Sequence, residues 1–221
     1  NKSIELEQRL LRSQMNPHFV FNSLSAIQSF IFSSDPMEAG RYLSKFAKLM
    51  RLMLQNSRQP FIPLAKEIEA LKFYLELQQL RWNNFNYEII TNDIDCSQVA
   101  IPPMMVQPFA ENSIEHGLNS LKKNGIIEIK FTLFMSEMHI HIRDNGIGIN
   151  ASRQANKKNP LHQSLASRIA NERLAMLNGG KSLYQLTIQD YSDINPQETG
   201  TLVTISLPFM RINQSEKQDG N

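Results

Sequence analysis

A histidine beside a proline, in a helix-compatible stretch, is a candidate nucleophile. His18 follows Asn16-Pro17, a pair that either kinks a continuing helix or caps the start of a new one. In a first helical turn the helix dipole disfavours imidazolium, so the ring stays neutral and nucleophilic. Gln14 and Asn22 lie four residues before and after it, where an amide can fix the tautomer that leaves one ring nitrogen free. A capped helix start with a surface histidine is the alternative.

A second group of polar side chains lies in the segment Glu111-Asn-Ser-Ile-Glu-His116. On an α-helix, Asn112 and His116 share one face, and Glu111 and Glu115 share the neighbouring one. Amide and carboxylate oxygens on a helix surface can hold Mg²⁺, which takes few protein ligands and completes its shell with water and phosphate oxygens. The solvent-facing side of an amphipathic helix explains the same pattern.

The motif Asp144-Asn-Gly146-Ile-Gly148 follows a predicted strand directly. An acid at such a strand end can accept a hydrogen bond from an exocyclic amine. The two glycines let a planar base approach the backbone closely because they carry no Cβ. A simple turn is the alternative interpretation.

His139 and His141 alternate with apolar residues in that strand, so both project from one face. Two histidines on one face can bind a metal. Because no cysteine or acid cluster accompanies them in sequence, we expect an exposed strand face.

Composition and charge limit the classes of protein to which the chain can belong. Its 221 residues are 41% hydrophobic and 20% charged, which is typical of a globular protein. A net charge of +2 without a dense basic cluster argues against direct nucleic-acid binding. The single cysteine, Cys96, favours a reducing compartment. No apolar run approaches the ~18 residues of a membrane span, and since the chain begins with Asn1 we expect it to be a piece of a longer protein.

The elements that must position these side chains begin with helices, which the sequence predicts over 4–82. Ser34-Asp-Pro36 is typical of a turn followed by a helix N-terminus. A wide apolar stripe follows, and 56–63 interrupts the pattern before a further helix over 64–81. Broad stripes favour burial against a second chain, so we expect a dimeric four-helix bundle, with a closed three-helix unit as the alternative.

Strands and helices alternate beyond Trp82. Strands are predicted over 87–91, 126–134, 138–143, 183–189 and 201–207, and helices over 102–118 and 164–177. The polar segment 150–163 is predicted to be a mobile loop, and the polar tail to be disordered. The expected fold class is α+β, with an N-terminal helical hairpin or bundle followed by a two-layer α/β sandwich.

Four motifs occur in order along the chain. They are Q-M-N-P-H-F-V-F-N around His18, P-P-M-M-V-Q-P-F-A-E-N-S-I-E-H-G around Asn112, R-D-N-G-I-G-I around Asp144, and G-T-L-V-T-I-S-L-P from Gly200. Together they resemble the LytS-type sensor histidine kinases, whose ATP-binding domain belongs to the gyrase–chaperone–histidine kinase–MutL superfamily. The resemblance extends over roughly residues 8 to 209.

This resemblance implies an organisation and a set of roles. Residues 1–82 would be the helical dimerisation and phospho-acceptor region, 83–209 the ATP-binding catalytic domain, and 210–221 a disordered tail. His18 would be the phospho-acceptor, with Asn22 and Glu111 as further catalytic candidates. The other implied ligands of ATP or Mg²⁺ are Asn112 for the metal, Asp144 for adenine, and His116, Gly146, Gly148, Ser164 and Thr201 for the rest of the nucleotide.

The implied ATP lid covers 150–163 and departs from the family pattern at its end. Lys157 and Lys158 in it either meet phosphates or are ordinary solvated lysines. Related kinases commonly carry a second glycine-rich box where the lid meets its helix, whereas 164–174 contains no glycine. Ser164 and backbone N–H groups at that helix start can still bind phosphate.

A second departure concerns hydrolysis. Relatives that hydrolyse ATP place a glutamate four residues before the Mg²⁺ asparagine, and here that position holds Pro108. This argues against a dedicated ATPase and for transfer to a protein side chain. Phe19 stands directly after His18, where other kinases have an acid, so the group that accepts the imidazole proton stays open.

The expected activity is therefore autophosphorylation of His18 from Mg-ATP, followed by transfer to an aspartate of a response regulator in two-component signalling. In the resembled family that partner is often a DNA-binding regulator of the LytTR kind. We expect a homodimer, attached to a membrane only through a segment outside this sequence, as the cytoplasmic region of a membrane-anchored bacterial sensor. The competing hypotheses are a catalytically weak nucleotide-binding scaffold and an ATP-hydrolysing clamp.

Overall fold

Three helices form the first part of the fold. A computed structural model of the chain describes residues 17–33, 35–118, 124–155 and 185–212. Helix α1 is Pro17–Phe32, α2 is Pro36–Asn56 and α3 is Leu64–Trp82. Helix α2 begins as predicted, with Pro36 in its first turn and the Asp35 carboxylate accepting a hydrogen bond from the Glu38 N–H at 3.1 Å. The helix predicted before Pro17 lies outside the described residues.

Helix α3 is the centre of the helical part because apolar side chains cover most of its circumference. Buried residues at helical spacing along it include Leu64, Ile68, Leu71 and Leu75. Helices α1 and α2 add Phe19, Ile27, Tyr42, Leu49 and Met53 to the same core. Within the described residues the three helices thus pack together inside one chain.

The second part of the fold is built around a mixed five-stranded sheet. Its strands are β2 (Phe85–Ile90), β4 (Gly125–Phe134), β5 (Glu137–Asp144), β6 (Gln185–Asp190) and β7 (Thr201–Pro208), in the order β2-β4-β5-β7-β6. Strands β2 and β4 are parallel, and the other neighbours are antiparallel. Each lies within a few residues of its predicted position.

Alternation along the central strands separates a buried face from a polar one. The buried face carries Ile127, Ile129 and Phe131 from β4, Met138, Ile140 and Ile142 from β5, and Val203, Ile205 and Leu207 from β7. These side chains join those of the three helices in one contiguous apolar cluster. The predicted α+β class, helices followed by a sheet layered against helices, is confirmed.

A short strand pair connects the two parts of the chain. Strand β1, Ile62–Pro63, pairs antiparallel with β3, Ala100–Ile101. Both strands were missed, because two residues give no periodicity from which to predict a strand. The pair holds the start of α3 beside the segment that leads toward Asn112.

The helix predicted over 102–118 begins later and changes form. Helix α4 covers Gln107–Asn112, and a π-helical segment covers Ser113–Leu118. The predicted start was wrong because Met104 has a left-handed φ of 58°, which an α-helix does not admit. The Glu67 carboxylate accepts the Met104 and Val106 N–H groups, so this turn is bound by a side chain of α3 instead of continuing a helix.

Two further predictions need correction at their edges. Helix α5 is Gly148–Ala155, so the predicted loop over 150–163 is wrong for residues 150–155. Residues 210–212, predicted to be disordered, lie beside 98–100, with the Ala100 N–H donating to the Met210 carbonyl and the Ile212 N–H to the Gln98 carbonyl, both at 2.9 Å. The helix predicted over 164–177 and the tail from 213 lie outside the described residues.

None of the helices within the described ranges is both long enough and apolar enough to cross a membrane.

Candidate active site

Asp144 lies at the end of β5 with its carboxylate buried. It continues the inward-facing alternation of Met138, Ile140 and Ile142, which places an acid where the strand pattern would place an apolar residue. Three donors satisfy it. The Ser113 hydroxyl donates to Oδ2 at 2.8 Å, and the backbone N–H groups of Gly146 and Thr201 donate to Oδ1 at 2.9 and 3.2 Å.

Burial raises the pKa of Asp144 above its ordinary value. The three hydrogen bonds act in the opposite direction because they favour the charged form, but they do not outweigh the loss of water. A buried acid with a raised pKa is a candidate for a functional site.

Glycines close the space around this carboxylate. A Cβ on Gly146 would overlap the backbone of Gly117, and a Cβ on Gly200, whose φ is +132°, would overlap the backbone carbonyl of Asp144. The Ile147 N–H also donates to the Gly117 carbonyl at 3.2 Å. The first glycine of the predicted motif is therefore required by packing against a second motif, which is distant in sequence.

The second glycine of the motif begins helix α5. Gly148 has a φ of +79°, and a Cβ there would lie 2.7 Å from the Asp190 carboxylate. Asp190 accepts the Asn150 N–H at 2.9 Å and the Ser192 hydroxyl at 2.6 Å. Burial alone would raise the pKa of Asp190, but its donors lower the pKa below the ordinary value. Asp190 thus ties the start of α5 to the end of β6.

Helix α4 and the π-helical segment bring the second motif to the same place. Asn112 is the last residue of α4, and Ser113, the next residue, is the one that reaches Asp144. Glu111 and Asn112 are half-buried and His116 is exposed. The α-helical spacing that aligned Asn112 with His116 does not hold across Ser113, because π-helical bonding links residues five apart.

Thr201 takes part in the site through its backbone. Its N–H donates to Asp144, and its side chain is half-buried at the start of β7. Asp144, Gly146 and Thr201, three of the residues that the resemblance implied for the nucleotide, thereby lie together, with Asn112 one residue from the Ser113 contact.

His18 lies in α1, whose backbone the structure describes, while its side chain lies outside the described residues. The next residue, Phe19, is buried, with its ring centroid 5.3 Å from that of Tyr74 and 6.0 Å from that of Phe46. Asn22 is half-buried one turn further on. Ser164, Lys157 and Lys158 lie outside the described residues.

Comparison with known proteins places this arrangement in a family. A family model described as "Histidine kinase" matches residues 6–85. The sensor protein LytS of Oceanobacillus iheyensis is 34% identical over 212 residues, and that of Staphylococcus saprophyticus is 30% identical over 221 residues. The chain belongs to the LytS-type histidine kinase family.

The LytS-type chain covers only part of those relatives. The alignments include 93% and 98% of this chain but 35% and 36% of the two relatives, so the chain spans about a third of their length. A solved structure, the histidine kinase domain from the Erythrobacter litoralis EL346 blue-light activated histidine kinase, superimposes with a TM-score of 0.51 at 16% identity. The superposition covers 94% of each chain, and it shows a shared fold.

Four residues of this LytS-type site were missed from sequence: Ser113, Gly117, Asp190 and Gly200. Ser113 and Gly117 lie inside the motif around Asn112, and Gly200 opens the last motif, so signals for these three were present. Asp190 follows an ordinary strand pattern, so no signal in the sequence marked it as a site residue.

The two strand histidines lie apart from this site. His139 and His141 stand on the half-buried polar face of β5, with ring centroids 6.4 Å apart and His139 Nδ1 3.0 Å from Ser206 Oγ. Burial and then the neighbouring His139 lower the pKa of His141. Among the residues described, no three His, Cys, Asp or Glu side chains are grouped to hold a metal.

Proposed function

We propose that this chain is the core of a sensor histidine kinase that phosphorylates His18 from Mg-ATP and then passes the phosphoryl group to an aspartate of a response regulator. The observation that carries the proposal is the buried Asp144 carboxylate, held by Ser113, Gly146 and Thr201 in a chain of the LytS-type family. A buried acid surrounded by glycines suits recognition of an adenine amino group next to bare backbone.

The residues present fit a nucleotide with its metal. Asp144 would supply an acceptor for the adenine amine, and the backbone of Gly146 and Gly148, which packs closely against Gly117 and Asp190, would line the base. The Asn112 amide oxygen, one residue from the Ser113 contact, would hold Mg²⁺ at the edge of this pocket, where the half-buried Glu111 adds negative charge. Mg²⁺, when bound, neutralises phosphate charge and orients the terminal phosphate.

The role of the helical part is to supply the nucleophile. In the proposed step a neutral His18 ring nitrogen forms a bond to the γ-phosphorus, the bond from that phosphorus to the bridging oxygen breaks, and ADP leaves. Asn22, one turn along α1, orients the imidazole tautomer. His18 loses its ring proton to solvent or to a nearby base, and Glu111 is the candidate for that base. Positioning and charge neutralisation would supply most of the rate enhancement.

The proposal extends to organisation and partners. Residues 1–82 would dimerise and carry the phospho-acceptor, 83–209 would bind ATP, and 210–221 would form a tail whose first residues pair beside β3. The protein would act as a homodimer with a response regulator of the LytTR type. It would be the cytoplasmic region of a membrane-anchored bacterial sensor.

A nucleotide-binding scaffold without kinase activity is the second candidate, because no glycine occurs in 164–174, where related kinases have a glycine-rich box. Incubation with γ-labelled ATP and Mg²⁺ separates the two. The kinase predicts acid-labile label on the protein that is lost in His18→Ala. Measurable ATP binding without label would support the scaffold, and steady phosphate release that survives His18→Ala would support an ATPase.

A further inference from the structure

A buried carboxylate outside the proposed nucleotide site joins the helical part to the segment before Asn112. Glu67, in the first turn of α3, is 2% exposed. Its Oε2 accepts the Met104 N–H at 2.7 Å and its Oε1 accepts the Val106 N–H at 3.3 Å. A carboxylate is strongly disfavoured in the interior unless hydrogen bonds replace its water, and here the backbone of a distant turn provides them.

The turn that Glu67 holds is a strained one. Met104 has a φ of 58°, a conformation that L-residues other than glycine and asparagine rarely adopt. Charge-assisted hydrogen bonds to a carboxylate are among the strong ones in proteins, so Glu67 stabilises a backbone path that the local sequence disfavours. Helix α4 begins immediately after this turn, at Gln107, and ends at Asn112. The direction of so short a helix depends on how its first residues are held.

Helix α3, which carries Glu67, also contacts the helix that carries His18. Tyr74 lies seven residues after Glu67, two turns along α3, and therefore on the same face. Its ring packs against Phe19, the residue after His18, at 5.3 Å. It also lies within electrostatic range of Glu111, because burial and then the charge of Glu111 raise the pKa of the Tyr74 phenol. One face of α3 thus packs against Phe19 of α1, binds the turn before α4 through Glu67, and lies within electrostatic range of Glu111.

We propose that Glu67 is a positioning residue for phosphoryl transfer, which fixes α4, and with it Asn112, relative to the helix that carries His18. The inference rests on the proposed kinase function. Glu67 does not touch substrate in this account; it acts through the turn at 104–106.

The test compares Glu67→Gln with Glu69→Gln, since Glu69 is exposed on the same helix and loses the same charge. Glutamine keeps the shape of the side chain but turns an amino group toward a backbone N–H. The KM for Mg-ATP in autophosphorylation is expected to rise about tenfold in Glu67→Gln and to stay within about twofold of the unmodified protein in Glu69→Gln. A loss of folded protein alone would lower kcat at constant KM, so this KM increase separates positioning from stability.

Two further measurements distinguish a failure of the Glu67 proposal from a failure of the kinase proposal. Mg-ATP affinity is measured by calorimetry in the unmodified protein and in both variants. Equal affinities and equal KM values in Glu67→Gln and Glu69→Gln would overturn the role of Glu67, whereas binding without phosphorylation in the unmodified protein would overturn the kinase proposal. If Glu67→Gln fails to fold, amide exchange in the unmodified protein decides. Slow exchange at Met104 and Val106 is expected, and exchange as fast as at exposed turns would contradict the proposal.

Discussion

Among single residues, Asp144 combines burial, charge and three hydrogen-bond donors. The sequence predicted its role from the residue type and the strand end before it. What the sequence did not predict is how the carboxylate is satisfied, because Ser113 and Thr201 are 31 and 57 residues away in the chain. Contacts at that separation follow from the fold and leave no local pattern.

Asp144→Asn is expected to weaken Mg-ATP binding by at least about tenfold while leaving the fold intact. An asparagine Oδ1 can keep both backbone donors, and its amino group can donate to the Ser113 hydroxyl, which switches role. The amide can no longer offer adenine the same acceptor. Calorimetric titration with Mg-ATP measures the change, and unchanged affinity would remove Asp144 from the nucleotide site.

The difference in stability between Asp144→Asn and the unmodified protein should depend on pH in a defined direction. The pKa of Asp144 is higher in the folded state than its ordinary value of 3.8, so the unfolded chain ionises first as the pH rises. Folding therefore loses stability as the pH rises from about 3.8 through the folded-state pKa, and the full penalty is present above it. Asp144→Asn removes the penalty, so its free energy of unfolding should exceed that of the unmodified protein at pH 7. The difference should shrink toward acid pH in urea titrations; a difference independent of pH would contradict the pKa shift.

At the level of elements, the sequence predicted the strands and helices whose residues follow a periodic pattern. Strands β4, β5 and β7 alternate buried and more exposed side chains over most of their length, and each was placed within one residue at its predicted start. Helix α2 was located from its cap, Asp35-Pro36. The start of α4 was misplaced because Pro102-Pro103 is a common helix-opening signal, whereas Glu67, 37 residues earlier, binds the following turn in a different conformation. The π-helical form of 113–118 likewise has no signature in the sequence.

The close packing of Gly146 against Gly117 gives a prediction at the level of elements. In Gly146→Ala the new Cβ would overlap the Gly117 backbone, which cannot move aside as a flexible side chain can. The variant is expected to lose about 1–3 kcal/mol of stability and to bind Mg-ATP weakly. Gly40→Ala is the control, because nothing lies within 4 Å of its added Cβ in α2. It should gain up to about 1 kcal/mol. Thermal unfolding followed by circular dichroism measures both, and equal melting temperatures would refute the close packing.

At the level of the whole molecule, the described helices close a core within one chain and still leave apolar side chains outside it. On α1, Phe21, Leu24 and Ile31 are 70%, 50% and 61% exposed, at spacings of three and seven residues. These three side chains share one helix face, which adjoins the face that carries the buried Phe19 and Ile27. The two expectations from sequence, a three-helix unit and a dimeric bundle, are therefore compatible. The first describes the packing within this chain, and the second remains a proposal.

The proposed dimer predicts that a charge on this face separates the subunits. Leu24→Glu should weaken self-association by at least about a hundredfold, because the charge would be buried twice in a symmetric interface. Ser29→Glu, exposed on a different part of the same helix, should leave it unchanged. Light scattering across a dilution series measures the molecular mass, and from it the fraction of dimer. A Leu24→Glu variant that remains dimeric would exclude this face as the interface.

Locating the phosphoryl group tests the proposed kinase activity most directly. The chain has five histidines, and mass spectrometry of protein incubated with Mg-ATP, digested at neutral to alkaline pH to preserve phosphohistidine, can assign it to one of them. Phosphate is expected on His18, and much less of it there in Asp144→Asn when the Mg-ATP concentration is below the Kd of the unmodified protein. Phosphate on His116, His139, His141 or His162 with His18 unmodified, or ATP consumed with no histidine modified, would contradict the proposed kinase.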